Sequence, residues 1–203
     1  MSDRSTDAEL FESWSRGDAR AGAELFDRHF AAIARFFRNK VTHDFEDLIQ
    51  QTCTACLEAR ANFRRESSFR TFLFGIANNI LRTSFRKQKR ELLEFTEVSA
   101  HDLSPGPSTV IGKAREQRLL LEALRRIPVE HQVILELYYW ESLPGREVAE
   151  ILGESEPTVR NRLRQGKTLL REHMAQLASS AEELESTSSR LEHWAKAVRA
   201  SLD

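Results

Sequence analysis

The segment TVRNRLRQGK, residues 158–167, carries four positively charged side chains and only two apolar ones, Val159 and Leu163. These two apolar residues are four positions apart, which places them on one narrow stripe of a helix. Such a helix can pack through the stripe and leave its arginine, asparagine and glutamine side chains exposed. In the major groove of DNA, arginine hydrogen-bonds to guanine, whereas asparagine or glutamine hydrogen-bonds to adenine. The segment is therefore a candidate for recognising a DNA sequence.

The residues before this segment predict how the helix is held. Pro144 suits the first turn of a short helix, and Gly153 follows the last apolar residue of that helix. Ser155 stands where an N-cap is expected, so a second helix begins there. The pattern predicts a helix-turn-helix; the alternative is an amphipathic bundle helix with a solvated basic face. The candidate DNA contacts are Ser155, Thr158, Arg160, Asn161, Arg162, Arg164, Gln165 and Lys167.

Charge is segregated along the chain although the formal net charge is only -1. Residues 82–90 contain five positive side chains and no negative one, and residues 158–171 are also basic without an acid. Between them, residues 91–112 contain four acids and no lysine or arginine. Two basic blocks separated by an acidic spacer favour two binding sites for a polyanion, whereas the alternative is solvated helix faces.

Apolar residues recur at helical spacing along most of the chain, so the predicted fold is all-α. Helices are predicted over 8–15, 19–38 and 44–60, and from Ser67 or Ser68 to about residue 90; Leu57 is predicted in the core. We expect two small helical domains, 1–90 and 114–174, joined by a flexible linker over 91–113. Residues 175–203 form an extension, which we interpret as a regulatory or stabilising helix, with a disordered tail as the alternative.

Composition excludes several classes of protein. No apolar run approaches the roughly 20 residues that span a bilayer, and the polar N-terminus is unlike a signal peptide, so a cytoplasmic protein without membrane insertion is expected. Cys53 and Cys56 lack the two further ligands of a zinc site, and we interpret them as buried structural residues. Because no nucleophile–base set or phosphate-binding glycine loop is present, we expect neither an enzyme nor a cofactor or metal.

Three stretches in this order resemble one family closely: DFEDLIQQT, NFRRESSFRTFLFGIANN and IPVEHQVILELYYWESLPGREVAEILGESEPTVRNRL. Over about residues 8–174 the chain resembles an extracytoplasmic-function sigma factor of bacterial RNA polymerase. The resemblance implies that the first domain binds core polymerase and melts the −10 promoter element. It implies that the second domain recognises the −35 element, with the acidic linker in or near the nucleic-acid channel.

The resemblance also implies roles for particular residues. The positions that match the polymerase-docking helix are Glu46, Asp47, Leu48, Gln50 and Thr52. Those that match the −10 contacts are Asn62, Phe63, Arg64, Arg65, Ser67, Asn78, Arg82 and Arg86. The chain departs from the family at Gln51, Cys53 and Leu57, where glutamate and aromatic residues are common.

Members of this family are commonly held inactive by an anti-sigma factor, so such a regulator is an expected partner beside core RNA polymerase and promoter DNA. Two other functions are compatible with parts of the sequence. A self-sufficient DNA-binding regulator would explain the helix-turn-helix alone and would bind duplex DNA tightly without polymerase. An adaptor that binds acidic proteins through its basic faces would be insensitive to nucleic acid.

Overall fold

A computed structural model describes residues 5–41, 45–63, 67–91 and 115–178, and every element in these ranges is a helix or a helical turn. The N-terminal unit, residues 5–91, contains α1 (Asp7–Ser15), α2 (Ala19–Arg38), α3 (Phe45–Ala59), a 3₁₀ turn (Arg60–Asn62) and α4 (Phe69–Glu91). The C-terminal unit, residues 115–178, contains α5 (Arg115–Arg126), α6 (Val129–Leu135), a π-helical turn (Glu136–Trp140), α7 (Gly145–Leu152) and α8 (Glu156–Leu177). The all-α prediction is confirmed for these ranges.

The first two helices begin at side-chain caps. Thr6 accepts a hydrogen bond from the Glu9 amide while Glu9 accepts one from the Thr6 amide, which is a capping box at the start of α1. Asp18 accepts hydrogen bonds from the amides of Arg20 and Ala21 and so begins α2. Between them Gly17 has a φ of 107°, which a residue with a side chain rarely adopts. The predicted join near residues 17 and 18 is confirmed.

Aromatic rings fill the centre of the N-terminal unit. Phe11 of α1 lies edge-on to Trp14 and Phe63, with ring centroids 5.6 and 4.7 Å away. Trp14 lies against the backbone of α2 at Gly22, where any Cβ would collide with the indole ring. On α3 the core prediction is wrong at one position, because Leu57 is 52% exposed. The buried residues of α3 follow the line of Leu48, Thr52 and Cys56, and Leu57 lies beyond the edge of that stripe.

The C-terminal unit is built around α6 and the π-helical turn that follows it directly. The π-helical turn places the Glu141 amide 3.0 Å from the Glu136 carbonyl, one residue further along than in an α-helix. The side chains of Glu136 and Glu141 therefore lie one turn apart on the same side. A second hydrophobic cluster holds α5 against α6 and α8; its buried members are Leu119, Leu120, Leu121, Ala123, Leu124, Ile127, Leu135, Trp140, Leu170 and Met174.

The two units share a hydrophobic core. Val133, Leu137, Val148 and Ile151 of the C-terminal unit belong to the same buried cluster as the aromatic residues of the N-terminal unit. The main contact is between α4 and α7. Two helical sets were predicted, but their direct packing was not, because periodicity identifies the apolar face of a helix and not its partner. The predicted linker beyond Glu91 and the extension beyond Ala178 lie outside the described residues.

Candidate nucleic-acid interface

Local geometry produces the turn between α7 and α8. Gly153 ends α7 in the left-handed conformation, with φ 66° and ψ 36°. The Glu154 amide then donates to the Ala149 carbonyl at 2.9 Å, which closes the end of the helix. Ser155 begins α8 by accepting a hydrogen bond from the Thr158 amide at 3.3 Å. The chain therefore reverses within a few residues, as the sequence predicted for a helix-turn-helix.

One side of α8 is fixed to the rest of the C-terminal unit. Val159, Gly166, Leu170 and Met174 are buried on this side. A Cβ at Gly166 would lie 3.4 Å from His131 and from Leu135, so glycine allows α6 and α8 to approach closely. The orientation of α8 is therefore set by tight packing along much of its length.

The opposite side of α8 is open to solvent and carries most of the predicted DNA contacts. Its exposed members are Thr158, Arg160, Asn161, Arg164, Gln165 and Lys167. Arg160 lies 3.5 Å from Glu156, and Arg164 donates to the Asn161 side chain at 2.8 Å. Both contacts are on the surface, where such pairs contribute little and exchange readily for a stronger partner. These side chains are therefore free to form hydrogen bonds with bases in the major groove of DNA.

Two predicted DNA contacts have structural partners instead. Arg162 lies between two carboxylates, 2.8 Å from Glu154 and 3.3 Å from Glu130. It ties the start of α8 to the turn and to α6 and is less exposed than Arg160. Ser155 is exposed, but its hydroxyl is engaged with the amide and hydroxyl of Thr158. Its role here is to cap the helix.

The predicted polymerase-docking helix presents acids and amides at its start. Glu46, Asp47 and Gln50 of α3 are exposed. Leu48 is buried, and the fully buried Thr52 donates its hydroxyl to the Leu48 carbonyl at 2.8 Å. Both side chains are therefore buried in this structure, where they hold α3 in the core.

The predicted −10 loop is only partly described. Arg64 and Arg65 lie outside the described residues, as does the side chain of Asn62. The Phe63 ring is half-buried and packs against Phe72, with ring centroids 4.6 Å apart. It is therefore part of the aromatic core and not a free stacking surface. Ser67 is partly exposed at the end of this loop.

Three of the predicted −10 contacts, Asn78, Arg82 and Arg86, lie on the side of α4 that faces the C-terminal unit. Arg82 and Arg86 are exposed, but Asn78 is 2% exposed, and its amide nitrogen makes no hydrogen bond within the described residues. In this arrangement Asn78 is therefore covered, whereas Arg82 and Arg86 are accessible. The reason is tertiary, because α7 packs on α4 and the C-terminal unit covers this side of it.

Six charged or polar side chains that the sequence did not single out connect the two units: Arg35, Asn39, Lys40, Arg70, Glu136 and Glu141. Glu141 binds both Arg35, at 3.1 Å, and Arg70. Glu136 binds Lys40 and accepts a hydrogen bond from Asn39 at 2.9 Å.

Burial lowers the pKa of Lys40, and the Glu136 carboxylate opposes that shift by favouring the charged ammonium. No spacing signal could have identified these pairs, because Arg35 and Glu141 are 106 residues apart.

The cysteines are free thiols in the N-terminal core. Burial raises the pKa of the Cys56 thiol to about 12, with a smaller contribution from Cys53, whose own pKa is also raised by burial. Neither thiol is therefore activated for nucleophilic or redox chemistry at neutral pH. Within the described residues, no group of three or more histidine, cysteine or acidic side chains is arranged to hold a metal ion.

Comparison with protein families gives two matches along the chain. Residues 25–91 match the model described as Sigma-70 region 2, and residues 117–170 match the model described as Sigma-70, region 4. The two stretches together span more than half of the chain. The first match covers α3 and α4, and the second ends within α8.

Individual proteins show the same relationship. The chain is 28% identical to RNA polymerase sigma factor YlaC of Bacillus subtilis, covering 74% of this chain and 90% of that protein. It is 25% identical to the ECF RNA polymerase sigma-E factor of Haemophilus influenzae, covering 84% of this chain and 96% of the relative.

Two solved structures share the fold. One is CnrH in complex with the cytosolic domain of CnrY, with a TM-score of 0.63 and 22% identity over 85% of this chain and 99% of that one. The other is the sigma factor RpoE in complex with the anti-sigma factor NepR from Bartonella quintana, with a TM-score of 0.62 and 19% identity over 75% of this chain and 96% of that one. In the described part of this chain, none of the helices has the length and apolarity needed to cross a bilayer.

Proposed function

The chain belongs to the sigma-70 family, to its extracytoplasmic-function type, and on that premise we propose that it binds core RNA polymerase and directs initiation at promoters with a −10 and a −35 element. The observation that carries the proposal is the pairing of regions 2 and 4 on one chain, with an exposed polar and basic side on the second helix of the helix-turn-helix. Proteins of this family are transcription regulators rather than enzymes.

Recognition of the −35 element is assigned to the outer side of α8. Arg160 and Arg164 can each donate two hydrogen bonds to a guanine, and Asn161 or Gln165 can pair with an adenine. Lys167, one turn further along, is placed to contact the phosphate backbone. The base-contacting residues lie near the start of α8, which is where helix-turn-helix proteins insert their second helix into the major groove.

Polymerase docking is assigned to the exposed start of α3. Glu46, Asp47 and Gln50 form an acidic and polar surface that suits a basic partner. Leu48 and Thr52 support this surface from inside the core.

Contact with the −10 element is assigned to Arg82 and Arg86 on α4 together with the loop over 62–67. In the compact arrangement Arg82 and Arg86 are exposed, but the C-terminal unit buries the neighbouring Asn78, so we propose that the units separate when promoter DNA binds. In this proposal the two partners bind different helices: polymerase binds α3, and promoter DNA binds α4 and α8.

Regulation by another protein is part of the proposal. CnrH and RpoE share the fold and were solved with CnrY and with the anti-sigma factor NepR, respectively. We propose that an anti-sigma factor or comparable regulator binds this chain as well. Because polymerase and promoter DNA are its targets, we place the protein in the cytoplasm.

Co-elution with core RNA polymerase on a sizing column tests the function. The full chain is compared with Asp47→Arg and with Glu58→Arg, which reverses an exposed charge near the other end of α3. We expect the full chain and Glu58→Arg to co-elute with polymerase, whereas Asp47→Arg elutes separately with its fold intact by circular dichroism.

The other outcomes are informative in different ways. If all three proteins co-elute, Asp47 is not in the interface. If none co-elutes and the full chain binds a specific duplex by itself, the protein is a self-sufficient regulator. If it binds neither polymerase nor DNA, the adaptor hypothesis replaces the proposal.

A further inference from the structure

A cleft of about 340 Å³ lies between the two units. Its apolar walls come from both sides, with Leu81 and Phe85 of α4 facing Val133 of α6 and Leu152 of α7. The full lining is Asn78, Leu81, Arg82, Phe85, Arg86, Val129, Glu130, Val133, Leu152, Glu154 and Arg162. A recess of this size and polarity accommodates one or two large apolar side chains.

The polar groups that line the cleft favour binding of a segment that carries negative charge. Glu130 and Glu154 each bind Arg162 through one carboxylate oxygen, and the second oxygen of Glu154 is buried without a donor among the described residues. Arg82 and Arg86 have no carboxylate partner among the described residues. The buried Asn78 amide nitrogen lines the cleft without an acceptor among those residues, which is costly unless an occupant supplies one. The cleft therefore fits a segment that combines large apolar residues with carboxylates.

We propose that the cleft is the docking site of this chain's own C-terminal segment, residues 179–203. Leu184, Leu191, Trp194 and Val198 recur at intervals of seven, three and four, which is the spacing of one side of a helix. Residues 182–192 contain four glutamates and one arginine. The segment thus offers both the apolar stripe and the negative charge that the cleft lacks.

The length of the segment allows it to reach the cleft. Arg162 at the cleft and Leu177 at the end of α8 are 15 residues apart, or about 22 Å along the helix. About seven extended residues after Leu177 span that distance. The part of the segment that contains Leu191, Trp194 and Val198 is then long enough to lie in the cleft as a helix.

Occupation of the cleft has a functional consequence that rests on the proposed function. The segment would lie over Arg82 and Arg86, the two residues of α4 assigned to promoter DNA. The C-terminal segment and the −10 DNA therefore compete for one surface, and the segment restrains the protein until polymerase or DNA displaces it.

Photo-crosslinking of the full chain in the absence of DNA and polymerase tests the docking independently of the function. Phe85, a partly buried aromatic residue of the cleft lining, is replaced by p-benzoylphenylalanine, which retains Arg82 and Arg86, and the crosslinked peptides are identified by mass spectrometry. The control carries the same residue at Asn79, which is exposed on α4 and does not line the cleft. We expect an intrachain crosslink between position 85 and residues 184–198, and none to these residues from position 79.

Two tail variants examine the proposed contact. Trp194→Asp should lower the crosslink yield by at least about tenfold because it places a charge on the apolar stripe. Ser189→Asp adds the same charge on the opposite side of the predicted helix and should leave the yield unchanged. Crosslinks only to residues 92–114, only to a second copy of the chain, or to no peptide would each overturn the proposal.

Discussion

Arg160 and Arg162 are two residues apart on α8 and have opposite surroundings. The Arg160 side chain is 78% exposed, whereas that of Arg162 is 32% exposed and lies between two carboxylates. Both were equivalent candidates in the sequence, since spacing along a helix does not tell which arginine has an acidic neighbour on another element. The distinction separates an arginine that is available to DNA, as proposed for Arg160, from one that is held by two carboxylates.

Replacing Arg160 with alanine should weaken −35 binding by about 1–3 kcal/mol and relax the preference at one base pair, because a bidentate contact with a guanine is lost. The measurement is fluorescence anisotropy of the polymerase-bound protein with a set of single-base promoter variants. Arg162→Ala is the matched control: it should lower the stability of the C-terminal unit and leave the order of promoter preference intact. An equal loss on every promoter variant would show that Arg160 contacts only phosphate.

Cys56 should be almost inert to iodoacetamide at pH 8. With a pKa of about 12, its thiolate fraction at that pH is about a thousandfold smaller than for an ordinary thiol of pKa 9.0. Reactivity should rise as the pH increases towards that pKa, and half-buried Cys53 should react first. Mass spectrometry of time points, with the chain unfolded in urea as the reference, measures both rates. Rapid modification of native Cys56 would contradict its burial.

At the scale of the element, the turn between α7 and α8 was predictable because its signals are local. Gly153 and Ser155 determine the turn through their own backbone and side-chain preferences, so their types suffice. In the same way, Thr6 and Asp18 determine where α1 and α2 begin, and Gly17 determines the turn between them. Leu57 and Asn78 could not be placed in this way, because the exposure of each depends on which neighbouring element covers it.

Gly153→Ala should destabilise the C-terminal unit by about 1–2 kcal/mol, since alanine is strained in the left-handed conformation. No atom lies within 4 Å of the added Cβ, so the whole cost is backbone strain. Gly153→Asn should cost less, because asparagine tolerates this conformation better.

Gly75→Ala serves as the contrasting variant. Gly75 lies within α4 with open space around it, and the substitution should stabilise the chain by about 0.5–1 kcal/mol. Urea unfolding followed by circular dichroism measures all three variants. Equal effects of the two alanine substitutions would contradict the assigned role of the left-handed turn.

For the whole molecule, the contact between the units is the feature that the sequence did not predict. Its charged partners are far apart in the chain, and their burial follows from the shared core of α4 and α7. Sequence patterns identified both units and their order, since each is specified by its own periodicity and caps. The packing of the two units against each other could be identified only from the three-dimensional structure.

Glu141→Gln should loosen this arrangement, because it removes the carboxylate that binds both Arg35 and Arg70. Breaking a buried ion pair by changing one partner typically costs about 3–5 kcal/mol, and glutamine retains part of the hydrogen bonding. We expect a larger radius of gyration by small-angle X-ray scattering and faster hydrogen exchange in residues 78–86.

Glu172→Gln is the control, because it removes the same charge from an exposed site on α8. It should leave both the scattering and the exchange unchanged. Identical behaviour of the two variants would show that the Glu141 contacts do not hold the units together. If the proposed function is correct, Glu141→Gln should also increase binding to −10 DNA.

The two sides of α8 have separate tasks, and this matters for protein engineering. Val159, Gly166, Leu170 and Met174 hold the helix, whereas Arg160, Asn161, Arg164 and Gln165 take no part in the core. The outer residues can therefore be randomised as a set with little loss of stability. If these residues contact the −35 element as proposed, this chain is a suitable starting point for a library of transcription factors with altered promoter choice, in which Gly166 and Arg162 are kept constant.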